Sequence, residues 1–237
     1  LFVNRKGNTM NQALHSYQTG AATQIERNRV LRNTYWLLAL SMVPTVIGAW
    51  LGVATGISRA MSPGISMIVF LGGAFAFMFA IEKTKNSAAG VPVLLAFTFF
   101  MGVMLSRLVG SVLGLANGAS LIMTAFAGTG AIFLGMASLS SIIKRDLTSM
   151  GKWLFIGAIV LMVVGIANFF IQSSALMMAL SAMAIVIFSA FILHDLKRVQ
   201  DGLETNYITA TLGVYLSIYN VFQSLLMLLG IVGGRDE

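Results

Sequence analysis

The chain has 237 residues, 57% of them hydrophobic and only 10% charged, with a mean hydropathy of +0.87. A soluble domain needs roughly a quarter of its residues charged to cover its exterior, so a water-soluble globule is excluded and lipid becomes part of the solvent. The absence of cysteine excludes disulfides, thiolate nucleophiles, iron–sulfur clusters and Cys-rich zinc sites. The formal charge of +7 fits either nucleic acid or a membrane surface until its distribution is known.

Residues 1–33 make a polar, basic segment carrying Arg5, Lys6, Arg27, Arg29 and Arg32 against the single acid Glu26. Met10 reads as the natural start, with residues 1–9 extraneous to it. A signal peptide is not expected, because the first apolar stretch is too long for an h-region and no small-residue cleavage site closes it. Seven apolar segments follow, at 34–57, 61–81, 91–115, 119–143, 153–171, 175–193 and 207–233. Each is about the length that crosses a ~30 Å hydrocarbon core at ~1.5 Å per residue. In lipid every backbone amide must be satisfied within its own segment, so such runs are helices, whereas barrel strands would alternate and be half as long. The expected architecture is all-α: a cytosolic tail over 1–33 and a seven-transmembrane-helix bundle over 34–237. The connections at 116–118 and 172–174 leave room only for tight antiparallel turns.

Lys and Arg set the orientation. With the amino terminus in the cytosol, the cytosolic side holds the five tail cations, Lys83, Lys85, Lys144, Arg145, Lys152, Lys197 and Arg198. The opposite side holds Arg59 and Arg235, and Arg107 lies within the third span. The carboxyl terminus is then on the far side. The positive charge becomes a topology signal with a secondary attraction to anionic headgroups, and nucleic acid is not expected as a partner.

Inside the spans, Gly48, Gly52 and Gly56 recur at four-residue spacing, as do Gly110, Gly114 and Gly118. Such stripes let helices approach closely, either within one chain or as a dimer face through Gly48/Gly52/Gly56 or Gly110/Gly114. Arg107 falls about 24 Å into a roughly 30 Å slab, from where it either snorkels to the far headgroups or lines an outer vestibule. The last two spans form a hairpin centred near Asn206, which would set Asp195 opposite Ser217. His194, Tyr215, Tyr219, Asn220 and Gln223 complete the most polar intramembrane neighbourhood of the chain. Asp195 is either a proton-sensitive buried acid or a solvated helix-end residue.

No HExxH, Walker A loop or Gly-x-Ser-x-Gly elbow occurs, and His15 and His194 are the only histidines. An enzyme is not expected, nor a resident cofactor or metal.

The stretch Leu95-Ala-Phe-Thr-Phe-Phe-Met-Gly102, the loop Lys144-Arg-Asp-Leu147, Phe191-Ile-Leu-His-Asp195 and Tyr215-Leu-Ser-Ile-Tyr-Asn-Val-Phe-Gln-Ser-Leu-Leu226 together resemble the Bax inhibitor-1 (TMBIM-like) family. Val30-Leu-Arg-Asn-Thr-Tyr35, Glu204-Thr-Asn-Tyr-Ile208 and Ser217 resemble its bacterial YccA-type branch. The resemblance implies an inner-membrane protein and two activities of different kinds. The YccA-type branch implies a modulator and extraction-resistant substrate of the membrane AAA protease FtsH in membrane-protein quality control. The channel-like branch implies a pH-sensitive calcium leak, with calcium as permeant ion, governed by two aspartates that share a proton. Asp195 matches the first aspartate and Ser217 stands at the second, so the dyad is incomplete. A basic residue of the second helix partners that dyad in channel-like members, for which Lys83 and Lys85 are the candidates. Ser106-Arg107 replaces the Gly-Pro found in many relatives.

Overall fold

A computed structural model describes the backbone of residues 4–234 and the side chains of residues 24–234, Ser58 excepted. The expectations for residues 1–3, Arg235, Asp236 and Glu237, and for side chains ahead of Gln24, lie outside the described residues. Eight helices make up the described chain: α1 (Asn4–Thr55), α2 (Ile57–Ala60), α3 (Pro63–Thr84), α4 (Gly90–Leu113), α5 (Gly118–Ile142), α6 (Thr148–Ile171), α7 (Ser174–Gln200) and α8 (Tyr207–Gly233). Seven of them are long and apolar enough to cross a membrane; only the single-turn α2 is not.

The termini of these helices follow local chemistry. Gly56, at φ 68° in the left-handed region that glycine adopts without strain, ends α1. Ser62 and Pro63 then start α3, the serine hydroxyl accepting from Ile65 N–H at 3.4 Å and proline taking the first helical position. The tight turn between α6 and α7 places Gln172 at φ 55°, with the Asn168 side-chain oxygen accepting from Ser173 N–H at 3.1 Å. Asn206 caps α8 by accepting from Ile208 and Thr209 N–H at 2.9 and 3.2 Å. Its amide nitrogen also donates to Lys85 O and Asn86 Oδ1, tying that cap to the α3–α4 loop.

Two boundaries depart from expectation. Helix α1 is continuous from Asn4 through the stretch read as a tail. At its inner end the Arg27 guanidinium donates to Gln200 O at the end of α7. Helix α7 continues seven residues beyond the expected end of its span, to Gln200, before Gly202 turns the chain at φ 76°. Hydropathy marks where lipid ends. It does not mark where the helix ends, and Lys197 and Asp201 extend the last turn with an ion pair at 2.6 Å.

Helix α8 is the axis of the bundle, packed against α7, α5, α1 and α4. Helix α3 rests chiefly on α4, and α6 on α7. The closest pair is α1 with α4. A Cβ at Gly48 would run into the Phe99 carbonyl oxygen, one at Gly52 into the Ser106 side chain, and one at Gly102 into the Thr45 carbonyl oxygen. The Gly48/Gly52 stripe is therefore filled within the chain and is not available as a dimer face. Gly56 does not belong to it, having nothing within 4 Å of a built Cβ. Gly110 lies beneath the Arg59 guanidinium, and Gly114 is the exposed C-cap of α4, so these two do not form a continuous face either.

The core gathers Phe97, Leu94, Met101, Ile192, Leu196, Val214 and Tyr215 around α8. Hydroxyls inside the bundle return to the backbone one turn earlier, as Ser41 does to Leu37 O at 2.7 Å and Thr129 to Ala125 O at 2.7 Å. Among the described residues no buried side-chain nitrogen or oxygen lacks a partner, as a lipid environment demands. The outward faces carry Trp50, Phe75, Phe126, Phe170 and Val186, each more than half exposed and suited to acyl chains.

Candidate functional site

Extension of α7 carries His194 and Asp195 within the helix instead of past its end. His194 is 7% exposed. Its imidazole packs on α6, where a Cβ at Gly151 would lie 2.7 Å from Nε2. Its Nδ1 is 3.1 Å from Asp195 Oδ1, a hydrogen bond whose donor depends on the tautomer. The Asp195 side chain is 18% exposed, so it is mostly enclosed and not a fully solvated helix-end group.

The other carboxylate oxygen points at α8, but not at Ser217. A Cβ at Gly213 would lie 2.9 Å from Asp195 Oδ2, so the missing side chain at 213 makes the room in which the carboxylate sits. Ser217 is one turn further along, buried, and its hydroxyl donates to Gly213 O at 3.1 Å. The connection is the segment between Gln200 and Tyr207, whose centre lies ahead of Asn206, and this sets Asp195 beside Gly213, one turn short of the expected Ser217.

Lys83 and Lys85 are engaged elsewhere. The Lys83 ammonium stands 4.6 Å from the centre of the Phe79 ring, and Lys85 pairs with Glu82 at 2.5 Å. Neither forms an ion pair with Asp195, whose side-chain hydrogen-bond partner among the described residues is His194. No group of three or more His, Asp or Glu side chains able to hold a metal ion occurs among the described residues.

Deeper in the seam, α8 presents Tyr215 and Tyr219, which contact α1 and α4 through polar bonds. Tyr215 OH is 2.9 Å from Thr45 Oγ1 and 3.4 Å from Thr98 O; Tyr219 OH donates to Met101 O at 3.3 Å. Thr45 also reaches Ser41 O at 2.8 Å and Thr98 O at 3.1 Å, immediately after Pro44 interrupts the α1 ladder. The sequence flagged the tyrosines as polar, but not their partners: a lone threonine after a proline carries no signal of what it will meet 170 residues later.

Arg107 lies at the opposite end of the bundle. Its guanidinium donates to Ser66 Oγ on α3 at 3.0 Å and lines a groove of about 470 Å³ between α3, α4 and α8. The side chain therefore faces a groove lining and not simply the bulk headgroups.

Fold and site together define a multi-pass α-helical membrane protein with a carboxylate–imidazole pair enclosed at one end of the bundle. The family model described as Inhibitor of apoptosis-promoting Bax1 matches residues 27–234, and the chain belongs to the Bax inhibitor-1 family. It is 35% identical over 206 residues to the Escherichia coli K12 protein named Modulator of FtsH protease YccA, covering 87% of this chain and 91% of that one. A Vibrio cholerae protein named only as a membrane protein is 35% identical over 227 residues, 96% of this chain and 100% of its own. A Pseudomonas aeruginosa relative is 36% identical over 228 residues, again 96% and 100%. The E. coli O6:H1 relative bears the name Inner membrane protein YccA, and with seven apolar spans this chain is likewise a multi-pass inner-membrane protein.

Proposed function

We propose that this chain is a non-enzymatic modulator of a membrane AAA protease of the FtsH type, acting as a bound substrate that resists extraction. The observation that carries the proposal is the kinship over nearly the whole membrane domain with a protein named as a modulator of that protease. The packing supports it physically. With the amino terminus in the cytosol, a protease pulling on α1 meets first the Arg27–Gln200 contact and then the Gly48/Gly52 seam against α4, where backbones interlock. Close packing of this kind resists stepwise removal of a helix.

The experiment is co-purification and turnover with the protease for the full chain and for a variant lacking residues 10–26. Loss of engagement in the deletion supports the proposal. Unchanged co-purification and unchanged turnover sink it.

A second reading is favoured by one observation, the enclosure of Asp195 with only 18% of its side chain exposed. Under it the chain is a calcium leak in which Asp195, beside His194, is the proton-sensitive element. Purified protein in liposomes would then pass calcium in a pH-dependent way that Asp195→Asn alters. Absence of calcium flux between about pH 6 and 8 contradicts it.

A further inference from the structure

We propose that the groove around Arg107 is a binding site for one anionic phospholipid, its phosphate held by the guanidinium and its acyl chain lying along the groove. The groove is built where α3 leans on α4 and barely touches α8, so it opens sideways into the bilayer. Its wall is apolar and adaptable, with Met61, Met67, Met104 and Met227 around Phe70, the flexible thioether lining that accommodates a chain without a fixed shape. Its polar lining joins Arg107 to Ser66 at 3.0 Å, with Ser111, Tyr219 and Gln223 along the same groove.

Depth is right for a headgroup. Arg107 stands six residues before the end of α4, and Ser66 three after the start of α3. That places both about 5–9 Å inside the helix ends, within reach of the phosphate layer for a side chain as long as arginine.

Charge makes the site specific. Among the described residues, Arg59 and Arg107 are the only charged groups at this end of the bundle, and all described acids lie at the other. The two cations address neighbouring positions of α4, since Arg59 Nη2 lies 2.8 Å from where a Cβ of Gly110 would be, three residues after Arg107. The hydrogen bond from Arg107 to Ser66 occupies one of five guanidinium donors. The remainder form a fork suited to phosphate oxygens, and a zwitterionic headgroup would bring a third cation into a site that already holds two.

The test is native mass spectrometry of the detergent-purified full chain titrated with phosphatidylglycerol or phosphatidylcholine of matched chains. One phosphatidylglycerol should be retained preferentially. Arg107→Gln should weaken it about tenfold, the loss of one charge-assisted hydrogen bond, and Arg107→Lys should weaken it less. A phosphatidylglycerol with a photoreactive acyl chain, used on the wild type, should label peptides carrying Met61, Met67, Met104 or Met227, so the proposal stays testable if the Arg107 variants do not fold. Equal retention of the two lipids, labelling confined to other helices, or displacement by millimolar inorganic phosphate, which would make it a site for a soluble anion, overturns the proposal.

Discussion

Gly48 is one of the residues on which the close α1–α4 contact depends, together with Gly102 on the facing helix. Its missing side chain lets the Phe99 carbonyl approach the α1 backbone directly, and Gly48→Ala must push the two helices apart. Overpacking of this kind costs about 1–3 kcal/mol, and thermal unfolding in detergent should show a lower midpoint; an unchanged midpoint would mean that α1 and α4 are not in contact there. Asp146, in the loop before α6, offers a test by pH. Its carboxylate accepts from both the hydroxyl and the N–H of Thr148, at 2.6 and 2.8 Å, and these bonds hold its pKa below the usual carboxylate range. Because the folded value is the lower one, the stabilisation is fully present above the ordinary carboxylate pKa and disappears as pH falls through the folded value. Melting midpoints of the wild type and Asp146→Asn should therefore differ by a constant amount at neutral pH and converge in acid. A gap that widens in acid would reverse the sign. The sequence exposed the polar residues of the spans but not their pairings. Asp195 and Ser217 are both visible as intramembrane polar groups, yet which residue faces the carboxylate depends on turn geometry, and that is decided by Gly202 and Asn206.

At the scale of the helices, all seven spans were legible because a run of about twenty apolar residues has few other uses. Their ends were less so. Helix α7 outlasts its apolar stretch since Lys197 and Asp201 sustain a last turn outside the hydrocarbon, and His194 and Asp195 lie within the helix, against Gly151 of α6 and Gly213 of α8. The seam between α7 and α8 gives a paired prediction. Ser217→Ala removes a hydroxyl bonded only to its own helix backbone, at a cost of about 1 kcal/mol or less. Gly213→Ala places a methyl 2.9 Å from Asp195 Oδ2 and must displace the carboxylate, so it should destabilise by about 1–3 kcal/mol. Equal midpoints for the two variants, or a larger loss for Ser217→Ala, would restore Ser217 as the residue facing Asp195.

For the whole molecule, the distribution of Lys and Arg predicts that the loops at 85–89, 143–147 and 201–206 lie in the cytosol with the amino terminus. The cysteine-free sequence makes this directly measurable. In intact cells, a membrane-impermeant maleimide should label Asn117→Cys and spare Ala88→Cys, two exposed positions at opposite ends of the bundle. The reverse pattern would invert the topology and remove α1 from the reach of a cytosolic protease. The interlocked α1–α4 seam matters for extraction only if α1 is the helix pulled first. The most direct measurement is co-reconstitution of the chain with an FtsH-type protease and an independent membrane substrate, following the decay of both proteins. The wild type should decay slowly and slow the decay of the substrate, whereas Gly48→Ala should be consumed faster and restrain the protease less. Substrate turnover unaffected by an excess of the wild-type chain would contradict the proposed function.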